Sequence, residues 1–523
     1  MPWPLNVEKY GEFDQHNDWG FVYSSVPPEA SSSYEIGDIE GQIPADLSGA
    51  YYKAGPGNFE REGRRYAHVL DGDGFVAAFH FDNGKARYTG RFVETEYFVH
   101  ESLEDKIKYR NVFGTQRSGS ILKNAFDLVL KNVANTNVVK WGGRLFALWE
   151  AGRPYELDPD TLETLKQAED GPYEGLGTDA RIRGITVDHG GQIDKLMGVG
   201  RAFTAHPHIL DDDTMVAFKA ATSVTDKKSC LEFLEYNKNW EVKKSVDYSF
   251  DVGPPPHDFS ISEIYYCFFE NPFGAMDNVP YLFGVKAPTQ IMQLLLRRPA
   301  ILHLVPRHSS AKAMTVEVAP YFNIHNVPEA IERDGKLYLY SNGWDLNDRR
   351  FFPDSKDSVP FLGSWGGLYP DFINGVVPPS FLYETVVDLQ SETTVSHKEV
   401  APGVVMEFPV SDPNNSEVVY CTVAATDYTS LPGTGLCKMN VKTSEVECWW
   451  AENKVFTHEV TPVSKLNGEA GCWLLTLFYD SGKKRTSLAI FDSEKFHEGP
   501  VCRLHLKHHL SYGLHGSFSS SLN

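Results

Sequence analysis

Four histidines with the chemistry of metal ligands lie in short strand-and-turn segments between positions 206 and 515: His206, His257, His325 and His515. Neutral imidazoles without a thiolate suit a borderline first-row metal ion such as Fe(II) better than Mg²⁺ or Ca²⁺, which prefer oxygen ligands. Four such ligands on an octahedral ion leave two positions for a substrate such as O2. The pattern therefore predicts a site for redox or oxygen chemistry and not a closed structural zinc site.

Three glutamates are candidates for orienting these imidazoles. A metal-bound histidine usually donates its second ring N–H to a carboxylate, which fixes the tautomer and the ring orientation. Glu150 lies in Leu148–Glu150, Glu407 in Val404–Pro409 and Glu459 in Thr457–Pro462, although any one of them taken alone is more often an exposed surface carboxylate. His208 is expected to point away from His206, on the other face of its strand.

Distant histidines need a fold that brings distant strands together. The high aromatic share of 13%, with 43 Gly and 31 Pro, favours an all-β chain of short strands and tight turns. Strand-like segments recur at 143–150, 154–157, 214–219, 230–236, 263–270, 335–341, 417–424, 472–479 and 487–492. In a closed radial fold such as a propeller, strands from all of these segments converge on one axis. No convincing linker divides residues 1–523, and we expect one domain.

Two apolar segments interrupt the strand pattern. Apolar residues recur at helical spacing near 118–133, and a second, very apolar helix is predicted near 288–299. Both fit ordinary packing as a lid or in the core, and both equally fit an apolar patch that dips into a membrane or lines the mouth of the substrate site. A third segment, Asp71–Phe75, has the start of a calcium loop but lacks its later ligands, and we expect a hairpin turn there.

Composition narrows the class of partner and compartment. A formal charge of −21 argues against nucleic acid and against charge-driven docking to anionic lipid. Seven scattered cysteines with no Cys-x-x-Cys pattern are typical of a reducing compartment. The first residues lack the features of a signal peptide, and we expect a cytoplasmic protein, with peripheral membrane contact through the apolar helices as the second hypothesis. The sequence does not indicate an oligomeric state.

With these residues in view, the sequence resembles the carotenoid cleavage oxygenase family over nearly its whole length. The segments that carry the resemblance are Tyr51–Gly57, Leu70–Gly74, Thr204–Pro207, His257–Phe259 and Tyr512–Gly516. The resemblance implies that His206, His257 and His515 are the first, second and fourth iron ligands. It also implies that Glu150, Glu407 and Glu459 are the glutamates that contact the iron ligands without binding the iron themselves.

The third ligand departs from the family's pattern. Family members usually show an aromatic-His-x-x-Asn-Ala-x-Glu segment, whereas this chain reads Ile324-His325-Asn326-Val327-Pro328-Glu329. One alignment puts His325 at the ligand position, and another puts Asn323 there. We favour His325, because an asparagine would sharply weaken a four-histidine site.

The resemblance further implies a seven-bladed β-propeller with iron on its axis, capped by a dome of helices and loops. It implies oxidative cleavage of one conjugated C=C bond of an apolar polyene, a carotenoid or apocarotenoid, by O2 to give two carbonyl products. Stilbene-cleaving relatives carry a lysine immediately before the first glutamate, and this chain has Trp149 there, which favours an apocarotenoid. Stilbene cleavage and retinoid isomerisation with ester hydrolysis remain alternatives on the same fold.

Two further hypotheses come from other classes of protein. His16-Asn17-Asp18 has the spacing of a two-histidine, one-carboxylate iron site, but it lies in a polar segment that reads as a loop. A non-enzymatic propeller scaffold is the other rival, because many propellers only bind partners. A scaffold would have no use for four convergent histidines.

Overall fold

The computed structural model describes residues 12–118, 124, 129–165, 202–223, 228–251, 253–274, 278–308, 311–352, 354–361, 377–426, 429–466 and 468–520. In these ranges the strands form seven antiparallel sheets of three to six strands and two small two-stranded ribbons. The seven sheets follow one another along the chain. This is the predicted all-β, seven-bladed propeller, and the recurring strand-like segments of the sequence all lie in its blades.

Blade 1 combines strands from the beginning of the chain with its last strand, and blades 2 and 3 are built from the residues that follow. Blade 1 contains β1 (Ser33–Glu35), β3 (Gly49–Asn58), β6 (Asp73–Asp82), β7 (Lys85–Phe92) and β36 (Gly516–Ser520). Blade 2 contains β8 (Asn137–Trp141), β9 (Arg144–Leu148) and β10 (Tyr155–Leu157). Blade 3 contains β11 (Ala202–Phe203), β12 (His208–Ile209), β13 (Met215–Ser223), β14 (Lys228–Tyr236) and β15 (Val242–Asp251).

Blades 4 and 5 are built from the middle of the chain. Blade 4 contains β16 (Ser260–Ile261), β17 (Tyr265–Glu270), β19 (Ile301–Pro306) and β20 (Met314–Glu317). Blade 5 contains β21 (Tyr321–Asn326), β22 (Ile331–Arg333), β23 (Lys336–Asp345), β25 (Phe381–Asp388) and β26 (Thr393–Glu399).

Blades 6 and 7 complete the ring. Blade 6 contains β27 (Met406–Asp412), β28 (Asn415–Val423), β29 (Gly435–Asn440) and β30 (Val446–Trp450). Blade 7 contains β31 (Val455–Thr457), β32 (Thr461–Ser464), β33 (Cys472–Asp480), β34 (Arg485–Asp492), β35 (Pro500–His505) and β2 (Ile39–Gly41). The small ribbons pair β4 (Glu60–Arg61) with β5 (Arg64–Arg65) and β18 (Gln293–Leu295) with β24 (Ser358–Pro360).

Both faces of the inner strands are buried, because each blade packs against a neighbour on either side. Along β3, Tyr51 belongs to one apolar cluster, whereas Tyr52 and Ala54 belong to another. Successive side chains of a strand point to opposite faces, which gives each face its own core. This explains why the strands read as nearly continuous apolar runs in place of a clean apolar–polar alternation.

The two ends of the chain close the ring together. β36 pairs with β3 in antiparallel register, with Tyr51 opposite Phe518 and Lys53 opposite Gly516. At the outer edge of blade 7, β2 pairs with β35. Strands from both ends of the chain therefore lie together in blade 1 and in blade 7.

Helices are short and lie mainly in the insertions between strands. Among the described residues, the α-helices of four or more residues are α1 (Glu96–Glu104), α2 (Asn278–Leu282) and α3 (Pro288–Ile291). Single turns occur at Gln15–Trp19, Gly20–Tyr23, Pro28–Ala30, Val69–Asp71 and Ser493–Glu498. Thr95 caps α1 by accepting a hydrogen bond from the Phe98 N–H, and α1 ends at Asp105, which has a left-handed backbone. None of the helices in the described ranges has the length and apolar character needed to cross a bilayer.

The insertions that the family resemblance assigns to the dome contact one another. The Arg110 guanidinium donates hydrogen bonds to the backbone carbonyls of Tyr281 and Lys286, and it lies over the ring of Tyr281. The hydroxyl of Thr289 donates to the carbonyl of Val112. The insertion after blade 1 is thereby tied to the insertion inside blade 4.

The segment at 288–299 differs from the predicted helix. Its helix ends at Ile291, and the chain continues as strand β18, which pairs with β24. Leu294 and Leu296 are buried in the largest apolar cluster, because strand pairing and burial outweigh their helical propensity. These leucines therefore do not form a surface for a membrane. Of the other predicted helix, 118–133, residues 119–123 and 125–128 lie outside the described residues.

The predicted hairpin turn at Asp71–Phe75 is also wrong. A single helical turn ends at Asp71, and β6 begins at Asp73. Both carboxylates are buried. Asp71 accepts hydrogen bonds from the backbone N–H groups of Phe113 and Thr115, and Asp73 pairs with Arg61 and Lys131. These carboxylates fasten the dome insertion to blade 1.

Candidate metal centre

The structure brings the four predicted histidines together. One ligand atom from each of His206, His257, His325 and His515 lies within 4.8 Å of the others. The ring centroid of His206 is 4.5 Å from that of His257 and 4.5 Å from that of His515, and the His325 centroid is 5.0 Å from both of those rings. In the described part of the chain this is the group of side chains with the geometry to hold a metal ion.

Each histidine comes from the inner edge of a different blade. His206 lies between β11 and β12, His257 precedes β16, His325 lies in β21, and His515 precedes β36. These strands border the axis of the propeller, where strands from all parts of the chain meet. Convergence on the axis explains how ligands from widely separated positions share one site.

A β-bulge selects His325 over Asn323. Asn323 pairs with Gly343 and His325 pairs with Asn342, which leaves Ile324 as the extra residue. The side-chain amide of Asn323 turns to donate a hydrogen bond to Oδ1 of Asn326. His325 is therefore the member of this strand that joins the group.

Two of the three glutamates contact a histidine of the group directly. Nδ1 of His257 lies 2.5 Å from Oε1 of Glu150, and Nδ1 of His515 lies 2.7 Å from Oε1 of Glu459. Because Nδ1 is engaged by a carboxylate in both rings, Nε2 is the nitrogen that can face an ion. These are the contacts expected behind metal-bound imidazoles.

Glu407 differs from the expectation. Its carboxylate accepts hydrogen bonds from the Ser380 hydroxyl at 2.7 Å and from Nδ2 of Asn342 at 2.9 Å. Oδ1 of Asn342 in turn accepts a hydrogen bond from the backbone N–H of His325. Asn342 thus links Glu407 to the backbone of the third histidine, whereas Nδ1 of His325 is buried without a hydrogen-bond partner among the described residues. Burial raises the pKa of Glu407, although Ser380 and Asn342 oppose the change.

Glu459 is the most firmly held carboxylate of the three. Its Oε2 accepts hydrogen bonds from Nζ of Lys53 at 2.7 Å and from the backbone N–H of Gly516 at 3.0 Å. Burial acts to raise the pKa of Glu459, but Lys53 and His515 outweigh burial and lower it to about 2. The carboxylate is therefore ionised throughout the neutral range and can accept a hydrogen bond from Nδ1–H of His515.

His208 lies outside the group, but not for the predicted reason. Residues two apart in a strand share a face, so strand alternation alone would have kept His208 beside His206. The strand is instead interrupted between β11 and β12, and Nε2 of His208 lies 2.7 Å from the carbonyl oxygen of Phe259. His16 also lies outside the group, in the first helical turn of the described chain.

The residues present fit a first-row metal ion. Burial lowers the pKa of His206 and of His325 well below the usual histidine value, and the neighbouring imidazoles lower both further. Both rings are therefore neutral, the form that binds metal. Nε2 of His206 is buried and has no hydrogen-bond partner in the described chain, as expected for an atom that faces an ion. The donor set is four imidazoles, which suits Fe(II) and its neighbours in the first row.

Sequence reasoning missed four residues that support the site: Lys53, Asn342, Ser380 and Phe408. Phe408 has a left-handed backbone, with φ of 56°, inside a bulge of β27, and its ring packs 5.2 Å from the His325 ring and 5.4 Å from the His515 ring. Left-handed backbone at a bulky residue is strained and clusters at functional sites. Only Lys53 carried a signal, because it lies within the segment Tyr51–Gly57 that the family resemblance already singled out.

Comparisons with known proteins identify relatives that match this chain over nearly its whole length. The family model described as retinal pigment epithelial membrane protein matches residues 23–520. The apocarotenoid-15,15'-oxygenase of Synechocystis sp. is 31% identical over 518 residues, which cover 96% of this chain and 96% of that protein. A solved structure of the cobalt-substituted Synechocystis enzyme superposes with a TM-score of 0.83 at 30% identity, and covers 98% of this chain and 100% of that chain.

More distant relatives carry names with other substrates. The isoeugenol monooxygenase of Pseudomonas nitroreducens is 24% identical and covers 96% of this chain and 98% of the relative. The resveratrol cleavage oxygenase 1 of Botryotinia fuckeliana is also 24% identical, and covers 95% of this chain and 84% of the relative. Similarity at this level extends over the whole propeller but spans several substrate classes.

Proposed function

Because the chain belongs to the family of carotenoid cleavage oxygenases and the retinal pigment epithelial membrane protein, we propose that it is an Fe(II)-dependent dioxygenase that cleaves one conjugated C=C bond of an apocarotenoid or carotenoid. The observation that carries this proposal is the four-histidine group at the propeller axis. In the balanced reaction, one alkene and one O2 become two carbonyl products, and each product receives one oxygen atom.

The protein's own residues would hold and orient the ion. His206, His257, His325 and His515 would be its ligands, and Glu150 and Glu459 would fix the rings of His257 and His515 through Nδ1. When bound, Fe(II) supplies the redox chemistry that lets O2 react with an alkene. Four protein ligands leave room on the ion for small molecules, and regiospecificity then depends on where the substrate lies.

The apocarotenoid class is favoured by the residue before Glu150. Trp149 lies at the end of β9, is buried, and packs against Gly152, where an added Cβ would lie 2.8 Å from the indole ring. An indole at this place offers apolar surface and no charge for a phenol. The relative with the highest identity quoted above, at 31%, is also named for an apocarotenoid.

The test is product analysis under ¹⁸O2. The protein is loaded with Fe(II) under anaerobic conditions and then incubated separately with apocarotenals, full-length carotenoids, resveratrol and isoeugenol. We expect two shortened aldehydes from a polyene, each with one ¹⁸O atom. Aldehydes from the phenolic substrates alone would contradict the substrate class. A retinyl ester is incubated in parallel, and its isomerisation or hydrolysis without O2 consumption, with no cleavage of any polyene, would contradict the oxygenase reaction.

A further inference from the structure

Lys53 is a buried lysine that contacts Glu459, the carboxylate paired with His515. It lies in β3 directly opposite Gly516, one residue after His515, and its side chain is 2% exposed. Nζ donates hydrogen bonds to Oε2 of Glu459 at 2.7 Å and to the carbonyl oxygen of Leu514 at 2.8 Å. A buried lysine is costly unless it is paired and fully hydrogen-bonded, so this placement needs both acceptors.

The surrounding chain is shaped to admit this side chain. A Cβ added to Gly513 would lie 3.1 Å from Cε of Lys53, and one added to Gly516 would lie 3.0 Å from its Cδ. Larger residues at either glycine would push the lysine stem away from Glu459. The absence of a side chain at Gly513 and at Gly516 therefore leaves room for the Lys53 side chain.

Lys53 and His515 share one carboxylate through different oxygen atoms. Oε2 of Glu459 is held by Lys53 and by the backbone N–H of Gly516, and Oε1 is 2.7 Å from Nδ1 of His515. With Oε2 fixed by two donors, the plane of the carboxylate is set, and Oε1 can only face the imidazole. By contrast, Glu407 is held by the neutral donors Ser380 and Asn342.

We propose that Lys53 is a positioning residue for the metal centre, whose ammonium group fixes Glu459 and, through it, aims Nε2 of His515 at the ion. The inference rests on the proposed function in that it takes the four histidines as ligands. It adds Lys53 to the three glutamates that support the histidines. Lys53 acts through Glu459 and contacts neither the ion nor the substrate.

The test is a double-mutant cycle on metal affinity. Apoprotein of the wild type, Lys53→Met, Glu459→Gln and the double variant is titrated with Co(II), and both the dissociation constant and the visible absorption of bound Co(II) are measured. Loss of a group that orients a metal ligand weakens affinity by roughly 10- to 100-fold, and we expect this for each single variant. We expect the double variant to bind no more weakly than Glu459→Gln alone, because Lys53 acts through that carboxylate.

Lys465→Met is the matched control. Lys465 is another buried lysine, 3% exposed, that pairs with Asp492 at 2.8 Å on blade 7. It should leave Co(II) affinity within about twofold and the absorption spectrum unchanged, even where it lowers Tm. Lys53→Gln, which keeps an N–H donor without the charge, replaces Lys53→Met in the cycle if the methionine variant does not fold.

Three results would count against the inference. Unchanged Co(II) affinity in Lys53→Met, an equal loss in Lys465→Met, or fully multiplied losses in the double variant would each overturn the positioning role while leaving the metal site intact. A wild type that does not bind Co(II) at one ion per chain would instead contradict the proposed metal site itself.

Discussion

Individual side chains decide whether the site binds metal. The four histidines were predicted from their residue type, their strand-and-turn segments and the family resemblance together, and the structure places them in one group. The same reasoning could not find Lys53 or Asn342, because their roles come from contacts across 406 positions in one case and 65 in the other. A polar side chain whose partner is distant in the sequence leaves no local pattern.

The third histidine gives the first prediction. His325→Ala should reduce bound iron from one per chain to a small fraction, because three imidazoles remain and Asn323 faces Asn326. Asn323→Ala should keep full iron binding. Iron is measured by elemental analysis after anaerobic loading, with circular dichroism to check folding. Loss of iron in Asn323→Ala and retention in His325→Ala would reverse the assignment of the ligand.

Asp71 gives a prediction about pH. Burial raises the pKa of Asp71 to about 6, although Thr115 and Phe113 oppose this through hydrogen bonds. The folded state therefore keeps this proton to higher pH than the unfolded chain does, and the stability that Asp71 contributes is lost as pH rises from about 4 to about 6. For a shift of roughly two units the loss is about 3 kcal/mol.

The measurement for Asp71 compares free energies of unfolding in denaturant at pH 4 and pH 7. The Asp71→Asn variant cannot titrate at this position, so its stability relative to the wild type should rise by about 3 kcal/mol between the two pH values. A difference between variant and wild type that does not change with pH would show that the carboxylate has its ordinary pKa.

Short irregularities in the strands place the ligands. The bulge at Ile324 turns His325 into the site, and the break between β11 and β12 separates His206 from His208. Bulges and breaks of one or two residues arise from tertiary pairing, and the sequence therefore predicted the strands but not these details. The helix predicted at 288–299 was wrong for a related reason, since pairing with β24 converts its second half into a strand.

Substitution of Gly516 tests the pairing of β36 with β3, the strand pair that follows His515. A Cβ on Gly516 would lie 2.4 Å from the carbonyl oxygen of Tyr52 in the neighbouring strand. Gly516→Ala must therefore push β36 away from β3, and overpacking of this kind costs roughly 1–3 kcal/mol. We expect a lower Tm and weaker metal binding in this variant.

Gly37→Ala is the control for Gly516→Ala, because nothing lies within 4 Å of a Cβ at position 37. It should leave Tm and metal affinity near those of the wild type. An equal drop in Tm for both alanine variants would mean that the close approach of β36 to β3 does not set the stability of this strand pair.

At the scale of the whole molecule, closure of the ring joins fold and site. β36 pairs with β3 in blade 1, and His515 immediately precedes β36. The all-β class and the radial arrangement could be predicted from composition, recurring strands and the family resemblance. The pairing of β3 with β36 could not be predicted, because nothing in the sequences of residues 49–58 and 516–520 marks them as partners.

Truncation tests this closure. A chain that ends at His515 keeps all four histidines but lacks β36, and we expect a broader thermal transition at lower temperature and loss of bound iron. A chain that ends at Ser520 keeps the whole of β36 and is the control for the shorter chain. Differential scanning calorimetry and iron analysis are the readouts. Full iron binding without β36 would show that ring closure is not needed to position His515.

The most direct test of the four-histidine iron site is X-ray absorption spectroscopy of the protein loaded with one Fe(II) per chain. The four-histidine site predicts an extended fine structure with four imidazole nitrogens around the iron at a distance of about 2.1 Å, without sulfur. Their number should fall to three in His325→Ala, in whatever fraction of that variant retains iron. A first shell with fewer than four imidazoles in the wild type, or no iron bound after anaerobic loading, would contradict the four-histidine site.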